Sequence, residues 1–366
     1  MNIFVRDGIK LGDPMKNIYL QIAEYSERLS PLVIATVIFT RGSAPQKAGN
    51  SALFNKNGLI GGTIGGGVLE GRVEKIAREA AVTGYSGIEH FELDKSIEHK
   101  SEAICGGQVS VLIESGIEKY NSLFRNIDHC LDRRKRCVVV TVIKGILAGS
   151  PVIDRFVVSD GNSEDLTEEL RQKAGSVIDR LLGDMPGEVF SSVQESEPGK
   201  DADELILMEA ISPQPMLIIA GAGHIGRALH HLGRFLGFEV TVIDYRPEFA
   251  NKENLPDANR IIVKDIGEAI SDSGLSADTY VVIVTRGHND DASALRACIG
   301  SKARYIGMIG SKTKIEKMRR NFLENGWATE KEWKAIHAPI GLDINSKTVE
   351  EIAVSIAAEL VLVRNS

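Results

Sequence analysis

Cysteine is scarce and unpaired in this chain. Its four cysteines, Cys105, Cys130, Cys137 and Cys298, form no CxxC and no Cys/His cluster of zinc-site spacing. In a chain of 366 residues that argues against a disulfide framework and for reduced thiols. An excess of positive charge is also missing. The formal net charge of −7 falls within residues 1–212, while residues 213–366 are balanced, so nucleic-acid binding has no electrostatic footprint. Long hydrophobic runs are absent: the longest, such as Pro31–Phe39, fall far short of the roughly 20 residues a membrane span needs. The N-terminus meets Asp7 before any signal-like stretch develops. A cytoplasmic protein with neither membrane nor nucleic-acid partner is expected. Internal repeats and low-complexity tracts are missing as well. What remains is ordinary globular composition, 43% hydrophobic and 25% charged, enough for two domains of about 150 residues or more. Glycine is the surplus, with 36 residues, and its clustering suggests backbone passing close to a ligand.

The pattern divides at Ser212-Pro-Gln-Pro215, where two prolines precede an abrupt change. Before it, helices are expected from Asp13-Pro14 to Leu29, from Val68, over Ile117–Leu131 and over Leu166–Leu182. Strands are expected near Leu32–Thr40, Ala52–Phe54, Ile88–Leu93, Val109–Ile113, Val138–Ile143, Val152–Val158 and Glu188–Val193, with a hairpin tip over 194–203 and its returning strand at Leu205–Ile211. Gly58–Gly67 reads as one glycine-rich turn. After the prolines, strands at Met216–Ala220, Glu239–Ile243, Arg260–Val263, Tyr280–Val284 and Tyr305–Met308 alternate with helices at Ile225–Leu236, Asp291–Ile299, Thr313–Asn325 and Val349–Val363. The fold class is therefore α/β: a mixed α/β domain over 1–212 and a Rossmann-like, doubly wound parallel sheet over 213–366.

Gly221-Ala-Gly-His-Ile-Gly226 is a G-x-G-x-x-G between a strand and a helix, with Asp244 ending the next strand. Gly221, Gly223 and Gly226 would let backbone approach a pyrophosphate, and the helix start, at His224, would supply N–H donors. Asp244 would accept from ribose hydroxyls, although Arg246 blurs a preference for NAD over NADP. Gly65, Gly66 and Gly67 precede a second helix and suit either an anion-holding nest of N–H groups or a plain tight turn. Glu70 follows in the first turn, where the helix dipole alone would favour it. Cys105, beside Gly106 and Gly107, reads as an accessible thiol of lowered pKa or as a half-buried small hydrophobe. Gly310, Ser311 and Lys312 open a helix with a cationic first turn, which an anionic ligand would explain, as would lysines reaching into water. His288, past the end of a strand, is a candidate proton donor or a loop-capping residue.

These blocks, in this order, resemble the XdhC/CoxI family of xanthine dehydrogenase accessory proteins. The resemblance rests on Arg41-Gly-Ser43-Ala-Pro45, Gly62-Thr-Ile-Gly-Gly-Gly-Val-Leu-Glu70, Cys105-Gly-Gly107, Gly221-Ala-Gly-His-Ile225, Thr285-Arg-Gly-His288, Tyr305-Ile-Gly-Met-Ile-Gly-Ser311 and Pro339-Ile-Gly-Leu-Asp-Ile344. Val349 departs from the proline usual there. The resemblance implies a chaperone that binds the molybdenum cofactor (molybdopterin), holds it during sulfuration by a cysteine desulfurase, and delivers it to a molybdenum hydroxylase such as xanthine dehydrogenase. It also implies a homodimer, a cofactor role for Arg41, Ser43 and the glycine loops, and Cys105 as a ligand of molybdenum. A ligand shared by the two glycine loops would draw both to one cleft. The alternative is an NAD(P)-dependent oxidoreductase using 213–366 as its cofactor domain.

Overall fold

The computed structural model describes residues 17–42, 46–93, 107–148, 151–159, 166–183, 190–195 and 203–366. The chain forms two compact units, Met1–Pro213 and Gln214–Ser366.

The first unit holds α1 (Ile18–Leu29), β1 (Val33–Gly42), β2 (Ser51–Asn55), β3 (Gly58–Gly62), α2 (Gly67–Thr83), β4 (Gly87–Leu93) and β5 (Gly107–Ser115). After a 3-10 turn at Ile117–Tyr120 come α3 (Asn121–Asp132), β6 (Cys137–Lys144), β7 (Val152–Ser159), α4 (Glu168–Leu182), β8 (Phe190–Glu195) and β9 (Glu204–Ile211). Two antiparallel sheets result, ordered β3-β2-β1-β5-β4 and β7-β6-β9-β8. Their central strands are apolar on both faces because both faces are covered. Along β1, Val33, Ala35 and Val37 meet Val73 and Ala77 of α2, while Ile34 joins the α1 and α3 cluster. On β6, Val138 and Val140 face α4, and Val139 and Cys137 face the opposite way. One buried ionic group sits on the inward faces: Arg155 of β7 donates from Nε and Nη2 to Glu114 Oε2 on β5, at 3.1 and 2.6 Å.

The second unit contains β10 (Met216–Ala220), α5 (His224–Phe235), β11 (Glu239–Ile243), β12 (Arg260–Ile262), α6 (Ile266–Ser271), β13 (Thr279–Ile283), α7 (His288–Cys298), β14 (Tyr305–Met308), α8 (Lys312–Glu324), α9 (Glu330–Lys334) and α10 (Val349–Arg364). Its strands are parallel in the order β12-β11-β10-β13-β14. That is the 3-2-1-4-5 order of a Rossmann sheet without its sixth strand, with its switch point between β10 and β13. Leu217 and Ile219 pack toward α5 and α10, and Ile218 and Ala220 toward α6, α7 and α8.

Several sequence expectations need correction. Gly58–Gly62 is a strand, since Asn55↔Gly58 closes a tight hairpin and the glycines pair with β2 out to Ala52↔Gly62. Only residues 63–66 turn. The helix expected over Ile117–Leu131 opens with the 3-10 turn, and α7 begins at His288, three residues early. Gly287 is its N-cap, and Asp290 and Asp291 in the first turn complement the helix dipole. The short helices α6 and α9 have no counterpart among the expected elements. The N-cap of α1 is Asn17, whose side chain accepts from Tyr19 N; Asp13-Pro14 lies outside the described residues. So does the tip joining β8 to β9, which pair antiparallel.

Candidate functional site

In the second unit, three helix starts follow the C-terminal ends of β10, β13 and β14, with N-caps at Gly223, Gly287 and Ser311. This is the edge at which open parallel sheets bind ligands, and the three glycines of the first loop serve it differently. Gly221 has φ +118°, and a Cβ there would stand 2.6 Å from the Val284 carbonyl oxygen at the end of β13. At Gly226 a Cβ would stand 2.0 Å from Gly221 O. Both are required by the chain's own packing. Gly223 has φ −71°, and nothing lies within 4 Å of where its Cβ would be. Neither backbone nor packing accounts for a glycine at 223.

Asp244 is buried at the end of β11 and fully engaged. Its Oδ1 accepts from Arg246 N and Nε at 3.0 and 2.9 Å, and its Oδ2 from Arg246 Nη2 and Ala222 N, both at 2.8 Å. Four donors saturate a carboxylate. Burial alone would raise its pKa, but Arg246 and the two backbone N–H groups outweigh it and hold the group below its ordinary value. The expected ribose acceptor thus already ties the glycine loop to Arg246, which stacks on Phe249 with 4.3 Å from guanidinium carbon to ring centre.

The neighbouring helix starts carry positive and polar groups. His224, Arg286, His288, Ser311 and Lys312 are exposed, and Gly310 is half-buried. Ser311 caps α8 by accepting from Lys314 N. Lys314 ion-pairs with the buried Asp291, which also accepts from Thr285 Oγ1 at 2.6 Å. Asp291 therefore explains one lysine of the cationic first turn, while Lys312 extends outward. His288 sits in the first turn of α7. The pKa of Asp290 beside it is raised by burial and by Asp291, Asp244 and Asp265. A groove of about 440 Å³ between α6 and α7, lined by Gly267, Ser293, Arg296 and Trp327, reaches this edge through Asn289.

In the first unit, antiparallel pairing brings the expected blocks to one end of one sheet. Gly42 stands opposite Gly107, Arg41 opposite Gln108, and Leu93 opposite Gly107 on the other side. β3 points the same way but stops level with Ala35 of β1, where it leads into α2. Ser43, Cys105 and Gly106 lie outside the described residues; the chain joins them to Gly42 and Gly107. Gly65, Gly66 and Gly67 have φ of +123°, +68° and +60°, values that favour glycine. The nest they make is partly filled from within. Glu70 Oε2 accepts from Thr63 Oγ1 at 2.8 Å and from Ile64 N and Gly66 N at 3.3 Å. The N–H groups of Gly67, Val68 and Leu69 are the donors at the start of α2 that no intrahelical bond uses. Two other thiols are buried in the core: burial pushes both Cys137 and Cys298 up to about 12, and Cys298 Sγ donates to Ala294 O.

One group escaped sequence reading, His230, His231 and Asp257. Adjacent histidines on a helix carry no signal of their own, and their acidic neighbour comes from a loop 26 residues later.

The fold and these loops define a class, a Rossmann-type unit joined to an antiparallel α/β unit with a glycine-rich helix start in each. A model of the XdhC Rossmann domain matches residues 217–360, and a model of the XdhC and CoxI family matches residues 27–92; together they cover more than half of the chain. The chain belongs to the XdhC and CoxI family. Cys105–Gly107 lies outside both matched stretches. A probable xanthine dehydrogenase subunit from Bacillus subtilis 168 is 24% identical over 360 residues, covering 96% of this chain and 98% of that protein. The uncharacterized protein YqeB of Escherichia coli K12 is 32% identical over 154 residues, 42% of this chain but 28% of its own length. A crystal structure described as a xanthine dehydrogenase from Bacillus halodurans has the same fold, with TM-score 0.73 and 24% identity over 94% of this chain and 95% of that one. Among the described residues no helix is long and apolar enough to cross a membrane.

Proposed function

We propose that this chain is an accessory factor in the maturation of a molybdenum hydroxylase such as xanthine dehydrogenase, and that it holds the molybdenum cofactor while a cysteine desulfurase sulfurates it. Family membership supports the coarse role. The observation that carries the finer one is Gly223, a glycine that the chain's own backbone and packing do not require, at the N-cap of α5 among three helix starts. Backbone N–H groups there, with Lys312 at the start of α8 along the same sheet edge, suit a phosphate. The bound cofactor brings that phosphate and an oxyanionic metal centre. In the first unit, taken by itself, Arg41 and the N–H groups of Gly67, Val68 and Leu69 offer positive potential to an anionic group, and Cys105 offers a soft thiolate suited to molybdenum. Glu70 keeps the rest of its nest closed to anions. The chain's residues bind and orient; the hydroxylase and the desulfurase supply the chemistry.

The oxidoreductase reading is less well supported, because Asp244 has no acceptor capacity left for a ribose. Two measurements separate the readings. Molybdenum per chain is determined by elemental analysis for wild type, Cys105→Ser and Cys298→Ser, and NADH binding is followed by fluorescence titration. The accessory role requires molybdenum retention and activation of apo-hydroxylase in wild type and Cys298→Ser, a sharp loss of both in Cys105→Ser, and unchanged melting of the latter. Tight NADH binding with no molybdenum retained would overturn it, and equal retention in both variants would reduce Cys105 to packing.

A further inference from the structure

We propose that His230, His231 and Asp257 form a binding site for one divalent transition-metal ion of the zinc class. His230 is fully buried, and its Nδ1 lies within hydrogen-bond reach of the Arg227 carbonyl oxygen. A carbonyl only accepts, so Nδ1 carries the hydrogen. In a neutral imidazole the lone pair is then on Nε2. Burial, with His231 alongside, holds the His230 pKa below its ordinary value and keeps the ring neutral. Its Nε2 is buried and has no hydrogen-bond partner among the described residues. A backbone-anchored Nδ1–H with a bare Nε2 is the tautomer that metal-binding histidines adopt.

The other two ligands stand beside it. The rings of His230 and His231 are 3.8 Å apart between centroids. His231 Nδ1 meets Asp257 Oδ2, and His231 is the main cause holding the Asp257 carboxyl below its usual range and ionised. One ligand-capable atom from each of the three residues lies within 4.8 Å of the others. His231 and Asp257 are each 52% exposed, so both can rotate the further distance to the roughly 2.0–2.2 Å ligand bonds of zinc, and an ion can enter from solvent. The ion takes the position of the hydrogen between His231 and Asp257; the imidazole proton moves to the other ring nitrogen, and none is lost. Two nitrogens and one carboxylate oxygen suit zinc-like ions over magnesium or calcium, and three protein ligands leave a fourth position to water. Asp257 precedes β12 and His231 lies more than a turn and a half down α5 from its start. The site is therefore at the opposite end of the parallel sheet from the glycine loop, and it is independent of the proposed cofactor role.

The test uses the full chain freed of metal by a chelator that is then removed. Zn²⁺ is titrated by calorimetry, and melting is followed with and without Zn²⁺. The expected result is one site per chain and a raised melting temperature, with His231→Ala and Asp257→Asn each weakening the site at least tenfold and abolishing the shift while melting like wild type without metal. A Cys105→Ser chain binds Zn²⁺ as wild type does. Zn²⁺ affinity unchanged in both surface variants, or binding lost in Cys105→Ser, overturns the proposal, as does the absence of binding below millimolar Zn²⁺.

Discussion

The starts of α2 and α5 look alike in sequence, each a glycine cluster running into a helix, yet glycine is there for different reasons. Before α2 the backbone demands it: three successive residues have positive φ, and Glu70 from the same helix folds back over the N–H groups they expose. Before α5 the demand is steric at Gly226, steric as well as conformational at Gly221, and absent at Gly223. The carboxylate that reaches this loop, Asp244, comes from the next strand and is already neutralised by Arg246. A glycine-rich helix start can thus be filled by its own side chain or left open, and the source of the nearest carboxylate decides which.

The largest effect should come from Gly226→Ala, which puts a Cβ against fixed backbone and is expected to cost about 3 kcal/mol, read as the denaturant midpoint of the second unit. If it melts like wild type, helix and strand are not in the close contact described. Arg246→Ala should cost about 2 kcal/mol near neutral pH by leaving the buried Asp244 carboxylate with its two backbone N–H donors but no counter-charge. The pH dependence carries a definite sign. With Arg246 present, the native pKa of Asp244 lies below 3.8, so its contribution is complete above that value and declines as pH falls through the native one. Without the Arg246 side chain that lowering is weaker, so the deficit is greatest at neutral pH, where Asp244 is ionised, and closes in acid as it protonates. A deficit independent of pH would mean that Arg246 acts only through packing on Phe249.

Smaller effects test whether the α2 nest is closed by choice of side chain. Glu70→Gln keeps an acceptor but removes the charge, and should cost less than about 1 kcal/mol while tightening inorganic phosphate binding to the chain in a calorimetric titration. No gain in phosphate binding would show that the nest is only a turn. The smallest stability change is expected for Gly223→Ala, within about 0.5 kcal/mol, paired with loss of molybdenum retained per chain. Full retention would remove the argument that this glycine serves a ligand.

Much of the second unit was legible because strand, glycine spacing and Asp244 recur at fixed offsets, and a parallel sheet buried on both faces leaves unbroken apolar runs. Gly58–Gly62 was not legible: a strand without side chains has no alternation, and the register with β2 that makes it one is non-local. The site was half legible. The first-turn positions of Glu70 and Lys314 pointed to electrostatics at helix starts, but that Glu70 fills its own nest and that Asp291 answers Lys314 depends on turns invisible in a one-dimensional pattern. Arg246, two residues past Asp244, was in plain view; its bidentate geometry was not.

The polypeptide passes from one unit to the other once, between Pro213 and Gln214, so each unit is a single uninterrupted stretch of chain. A gene encoding such a protein can be cut or fused at that one codon boundary without stranding a strand or helix on the wrong side.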